Sequence, residues 1–110
     1  MPDIKEFTIY DKSTVEDCIK KLDDNLRSNQ TKIVVVIDKK NNVKGTVTDG
    51  DIRRGLIKKI ELSDNVTKIM KKNPIVIVKN SKKKLPKKYE NFNLPIPIVS
   101  KSKKFIELYN

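Results

Sequence analysis

Histidine is absent from this chain, and with it go the Ser-His-Asp and Cys-His arrangements and the commonest general base at neutral pH. Cysteine occurs once, as Cys18, so no internal disulfide can form and no Cys/His cage for zinc is available. Tryptophan and alanine are also missing, and there are only three glycines and three arginines. No charged-then-apolar leader opens the chain, and no apolar run approaches the roughly 18 residues of a membrane span. A lone cysteine suits a reducing compartment, so the expectation is a cytoplasmic chain with no membrane partner. What remains for catalysis is carboxylate chemistry, without any assembled nucleophile–base pair or metal set. The expectation is that the chain is not an enzyme.

What is present is charge. The 110 residues carry a formal +11, unevenly spread: residues 1–56 hold 11 basic and 10 acidic side chains, residues 57–110 hold 14 and 4. The excess is concentrated at Lys82-Lys83-Lys84 and Lys87-Lys88. Such a half can attract nucleic acid, anionic ligands or acidic protein surfaces. It can equally reflect a composition drawn toward Lys, Asn and Ile. The compositional reading is preferred, because nucleic-acid faces mix arginine and aromatics with lysine.

The length fits one domain, or two half-size repeats on one core. Phe7 to Tyr10 is a β-favouring run. Thr14, with Asp17 three residues on, predicts a capped helix over 15–27, with Val15, Cys18, Ile19, Leu22 and Leu26 on its inner face. Ile33 to Ile37 reads as a strand covered on both faces, and Val43 to Thr48 as its return after a polar turn at Asp38–Asn42. A helical pattern runs from Asp51 to Ile60; Ser63 or Asp64 can cap a short helix through Met70, ended by Asn73-Pro74. Ile75 to Val78 is a further strand, Asn80 to Asn93 has weak periodicity, and Ile96–Val99 with Phe105–Tyr109 forms a second strand–turn–strand unit. Pro95 and Pro97 predict that its first strand lies at a sheet edge.

The halves correspond. The strand at 7–10 parallels 75–78, and the hairpin at 33–48 parallels 95–110 without a gap, Asp38–Asn42 matching Ser100–Lys104. Six residues fewer separate strand from hairpin in the second half. The expected organisation is a first repeat with its connecting helix over 1–72 and an abbreviated second repeat over 73–110.

All three glycines and two of the three arginines fall between Gly45 and Gly55. Gly45 allows close approach to a strand backbone. Thr48 sets a hydroxyl beside the N-terminus of the next helix, whose free N–H groups suit a phosphate. Asp51 can cap that helix or accept hydrogen bonds from two vicinal sugar hydroxyls. Arg53 and Arg54, in the first turn, can meet a phosphate as planar forks. The same residues also suit an ordinary turn and cap with solvated arginines. Asp49 and Asp51 flank a glycine and make a poor cation cage, so no protein-borne metal site is expected; magnesium would arrive on a nucleotide.

Gly45-Thr46-Val47-Thr48, followed by Asp51-Ile52, resembles the adenosyl-binding motif of cystathionine-β-synthase (CBS) domains, and the β-α-β-β-α order of the first half is that of a CBS repeat. The stretch Thr48–Arg54 with Met70–Ile75 looks closest to CBS pairs attached to sugar-phosphate nucleotidyltransferases and arabinose phosphate isomerases. The resemblance implies an α/β (α+β) fold of tandem repeats and a regulatory module, commonly dimeric, that needs no cofactor and binds AMP, ADP or ATP in a cleft between repeats. It implies that Asp51 holds the ribose, Thr48 the phosphate or ribose, and that Ile9, Tyr10, Val34 and Val47 flank the base. It further implies a homodimer and a catalytic domain beyond Asn110, to which the Met1 start and the end inside a strand are suited. In the second repeat the motif glycine is replaced by Glu107 and the threonine by Asn110, so one equipped site per chain is expected. The alternatives are a dimerisation module with a decayed nucleotide site and, third, nucleic-acid binding through the basic half.

Overall fold

A computed structural model describes residues 6–28, 30–79 and 95–109. The lysine clusters at Lys82–Lys84 and Lys87–Lys88, the segment 80–93 and Asn110 therefore lie outside the described residues. The elements are β1 (Thr8–Tyr10), α1 (Val15–Ser28), β2 (Val34–Ile37), β3 (Val43–Val47), α2 (Asp49–Ile57), a single 3-10 turn (Val66–Lys68), β4 (Lys71–Lys72), β5 (Ile77–Val78), β6 (Ile96–Val99) and β7 (Phe105–Tyr109). They form two short mixed sheets, ordered β1-β2-β3-β4 and β5-β6-β7. The fold is mixed α+β, as the sequence predicts.

α1 begins where its cap dictates. Thr14 Oγ1 accepts from the Asp17 N–H at 3.1 Å, and Asp17 Oδ2 accepts from the Thr14 N–H at 3.1 Å, a reciprocal capping box. That backbone N–H, with the Thr14 hydroxyl, holds the Asp17 carboxyl below the usual carboxylate range. Val15, Cys18 and Leu22 form the buried stripe of α1 and pack with Val34 and Val36 of β2, Val47, Ile52, Val66 and Ile69. Leu26, assigned to the same face, is exposed, and Asn25 takes the buried position instead. The alternate residues of β2, Val35 and Ile37, point the other way and pack against Phe105. Covered on both faces, β2 is continuously apolar for a physical reason.

The two hairpins share a register. In each, a kink interrupts the ladder before the turn, at Val36/Ile37 and at Ile98/Val99. Asn41 and Lys103 occupy the same turn position with φ of 66° and 70°. Asp38 Oδ1 accepts from the Lys40 and Asn42 N–H groups, and Ser100 Oγ accepts from the Lys104 N–H. The turns then pair with each other: the Val43 N–H donates to the Lys103 carbonyl at 3.1 Å and the Phe105 N–H to the Asn41 carbonyl at 2.8 Å. This reciprocal seam docks the second hairpin on the first.

Four sequence expectations are corrected. α2 starts at Asp49, two residues earlier than periodicity suggests, because Thr48 is its N-cap. It stops at Ile57 rather than Ile60, because Lys59 turns left-handed (φ 65°) and the Ile60 N–H bonds back to the Gly55 carbonyl, closing the helix end. The short helix through Met70 is one 3-10 turn capped by Asn65, whose Oδ1 accepts from the Thr67 N–H; Asp64 instead binds the Glu61 N–H. Lys71–Lys72 leaves it as β4, pairing with Gly45 and Thr46. Finally, β6 is the central strand of its sheet, not an edge. Pro95 precedes the strand, and Pro97 is tolerated because the β5 ladder begins only at Ile98, beyond Pro97, which pairs with Leu108 of β7.

Candidate functional site

A cleft of about 140 Å³ opens between the two hairpins. The first supplies Ile33, Thr46 and Thr48, α2 supplies Asp51 and Arg54, the connection supplies Lys71, Pro74 and Ile75, and the second hairpin supplies Pro95, Ile96 and Pro97. The lining combines apolar and proline side chains with one carboxylate and two cations.

The polar groups Thr48, Asp51 and Arg54 are organised by the α2 cap. Asp51 Oδ2 accepts from the Thr48 N–H at 2.9 Å and from the Thr48 hydroxyl at 3.1 Å. The Asp51 N–H donates to Thr48 Oγ1 at 3.4 Å. Arg54 Nη2 donates to Asp51 Oδ1 at 2.8 Å. The Asp51 side chain is 14% exposed and that of Arg54 66%, so the carboxylate is fixed in the wall while the guanidinium lies at the mouth.

Thr14-x-x-Asp17 and Thr48-x-x-Asp51 are the same capping box, so the four-residue pattern alone does not make a site. The difference is position: Asp17 faces solvent at the start of α1, whereas Asp51 faces the cleft.

Of the residues predicted to bind ligand, Thr46, Thr48, Asp51 and Arg54 are brought together in the cleft. The others do not line it. Ile9, Val34 and Val47 belong to the core beneath the sheet. Tyr10 is 55% exposed on β1, away from the cleft lining. Arg53 pairs with Asp49 at 3.3 Å on the solvent side of α2. Gly45 is needed by the chain itself: a β-carbon there would lie 2.7 Å from the Lys71 carbonyl oxygen and 2.7 Å from Met70 Sδ. The close approach that Gly45 permits within the chain is that of Met70 and β4. Gly45→Ala is accordingly expected to destabilise the fold by about 1–3 kcal/mol through overpacking, read as a lower denaturant midpoint.

Ile33, Lys71, Pro74, Ile75, Pro95, Ile96 and Pro97 complete the lining from outside the Gly45–Gly55 stretch. The repeat carries a signal for two of them, since the gapless match of hairpins equates Ile33 with Pro95. In the second hairpin, Glu107 is exposed on β7.

Cys18 is fully buried on α1, and burial, with the nearby Asp51 charge, pushes its thiol up to about 12. It is therefore expected to resist thiol reagents at pH 8 in the native state and to react at once in denaturant, measured as labelling stoichiometry with and without guanidinium. Among the described residues, no group of three or more His, Cys, Asp or Glu side chains is placed to hold a metal ion. No described helix is long and apolar enough to cross a membrane.

Comparison with known proteins places this geometry in context. The family model described as "CBS domain" matches residues 3–58. No curated protein sequence matches the chain. Among solved structures, OpuCA of Staphylococcus aureus is similar at 18% identity and a TM-score of 0.70, over 94% of this chain and 84% of that one. The CBS domain protein PAE2072 of Pyrobaculum aerophilum, complexed with AMP, is similar at 15% identity and 0.68, over 94% and 78%. The cytosolic domain of the Mg2+ channel MgtE, in complex with ATP, matches at 16% identity and 0.73, over 96% of this chain and 42% of that one. At such identities the likeness establishes a shared fold.

Proposed function

This chain belongs to the CBS-domain family, and on that premise we propose that it is a regulatory module binding one adenine nucleotide in the cleft beneath the start of α2. The observation that carries the reading is that one cleft is lined both by the polar groups Thr48, Asp51, Arg54 and Lys71 and by the apolar Ile33, Ile75, Pro95 and Pro97. An adenine nucleotide has the matching polarity. Its flat base suits the Ile33, Ile75 and Pro95–Pro97 walls, its ribose diol suits a fixed carboxylate, and its phosphate suits Arg54 and Lys71. The complexes of PAE2072 with AMP and of the MgtE cytosolic domain with ATP lend support by likeness of fold.

Within this reading, residues 1–72 form the first repeat, residues 73–110 form the abbreviated second, and only the first repeat contributes a complete motif. The module acts as a cytoplasmic homodimer that regulates a covalently attached catalytic domain, of the sugar-phosphate nucleotidyltransferase type that Thr48–Arg54 resembles. Any magnesium enters on the nucleotide. Catalysis belongs to that attached domain and not to this chain.

Titration calorimetry of the chain with AMP, ADP and ATP is the test. One site per chain is expected. Two equivalent sites would overturn the assignment to the first repeat; no binding of any of the three at millimolar concentration would leave a dimerisation module with a decayed site.

A further inference from the structure

The Asp51 carboxylate is crowded before any ligand arrives. A carboxylate offers about four lone-pair positions. Oδ2 already takes the Thr48 N–H and hydroxyl, and Oδ1 takes the Arg54 guanidinium at 2.8 Å. One acceptor position remains, enough for a single sugar hydroxyl. A two-point grip on a vicinal diol requires one donor to leave, and Arg54 is the one that holds Oδ1, on the opposite oxygen from the Thr48 cap.

Arg54 is placed to leave if given another anion. Its side chain is two-thirds exposed, it lines the same cleft, and among the described residues Asp51 is the one acceptor it bonds. The missing side chain at Gly50 gives it room: a β-carbon there would lie 3.2 Å from Arg54 Nη1.

We infer that Arg54 is an exchangeable latch on Asp51, released by the ligand's own phosphate, so that the cleft selects nucleoside phosphates and discriminates against the bare nucleoside. This rests on the nucleotide reading above and adds a specificity-determining residue to it. With AMP, Arg54 exchanges one charge-assisted partner for another and Asp51 becomes free for both ribose hydroxyls. With adenosine, the guanidinium must go to water without replacement, or remain and block half of the diol. The same logic makes adenosine and inorganic phosphate mutually reinforcing ligands, since each binds better once the other has arrived.

The test compares AMP, adenosine, and adenosine with inorganic phosphate on the wild-type chain and on Arg54→Gln and Arg54→Lys, by calorimetry. For the wild type, AMP is expected to bind far more tightly than adenosine, and phosphate to strengthen adenosine binding. Arg54→Gln should weaken AMP about tenfold or more, the scale of one charged hydrogen bond. It should leave adenosine binding equal or stronger and abolish the phosphate effect. Arg54→Lys, with charge but no fork, should fall between. Equal losses for AMP and adenosine in Arg54→Gln, or no change in either, would overturn the latch while leaving the nucleotide site standing. Failure of the wild type to bind AMP, ADP or ATP would overturn both.

Discussion

Asp51→Ala is expected to remove most of the thermal stabilisation that an adenine nucleotide confers, while leaving a folded protein. A ligand at a hundredfold excess over its Kd stabilises the native state by about 2.7 kcal/mol. In the variant the ribose loses its acceptor, so most of that increment should vanish. The fold itself loses one half of a capping box and a partly exposed ion pair, together costing about 1–2 kcal/mol. The two effects separate in one experiment, namely unfolding curves of wild type and variant with and without AMP, ADP and ATP. Asp51→Asn sharpens the comparison. Its amide oxygen can still accept the Thr48 N–H, but its NH2 cannot accept from a sugar hydroxyl and faces the Arg54 guanidinium, so the nucleotide response should fall while the cap largely persists. An Asp51→Ala protein that shifted as far as the wild type would sink the assignment of Asp51 to the ribose.

Phe105→Ala should give the largest loss of stability of any change considered, and it should reach the cleft from a distance. Phe105 is 4% exposed and packs against Val35 and Ile37, with Phe7, Val43 and Leu108 around them. Truncating a buried phenylalanine costs about 3–5 kcal/mol. A domain of this size has only about 5–15 kcal/mol in total. The backbone bonds of the seam survive the substitution, but the side chain that packs the second hairpin onto β2 does not. That hairpin carries Pro95, Ile96 and Pro97, one wall of the cleft. The expected result is a fall in Tm of roughly 15 °C together with a weakened response to nucleotide. A loss below about 1 kcal/mol would show that the seam is not packed by this side chain.

Much of the fold could be read from local pattern. The Thr14–Asp17 box announces α1, the unbroken Val34–Ile37 run announces a strand covered on both faces, and the match of Asp38–Asn42 with Ser100–Lys104 foretells two hairpins of equal register. The failures have specific causes. Lys71 and Lys72 show no apolar alternation, and they form a strand only because Gly45 leaves room for them to lie against β3. Pro95 and Pro97 argue for an edge, but Pro95 precedes β6 and the β5 ladder begins one residue after Pro97. Lys59 carries no signal of a helix end, since a lysine at positive φ is chosen by its surroundings rather than by its own preference.

The candidate site divides along the same line. The chemistry of Thr48, Asp51 and Arg54 follows from residue type and spacing, because a hydroxyl, a carboxylate and a guanidinium on consecutive turns of a helix start are held close by the helix alone. Whether that trio faces a ligand or only solvent is not a local property, as the identical box at Thr14 and Asp17 demonstrates. Sequence by itself determined the likeness of the two hairpins, most of the elements around them, and the polar groups on offer. Tertiary structure decided which of them meet: it buried Ile9, Val34 and Val47 in the core, turned Arg53 to solvent, and brought Lys71 and the prolines of a hairpin some 50 residues away in sequence from Thr46 into one cleft. The reason is physical, since apolar burial and the reciprocal seam between hairpins act between segments far apart in the chain, where no window of neighbouring residues can register them.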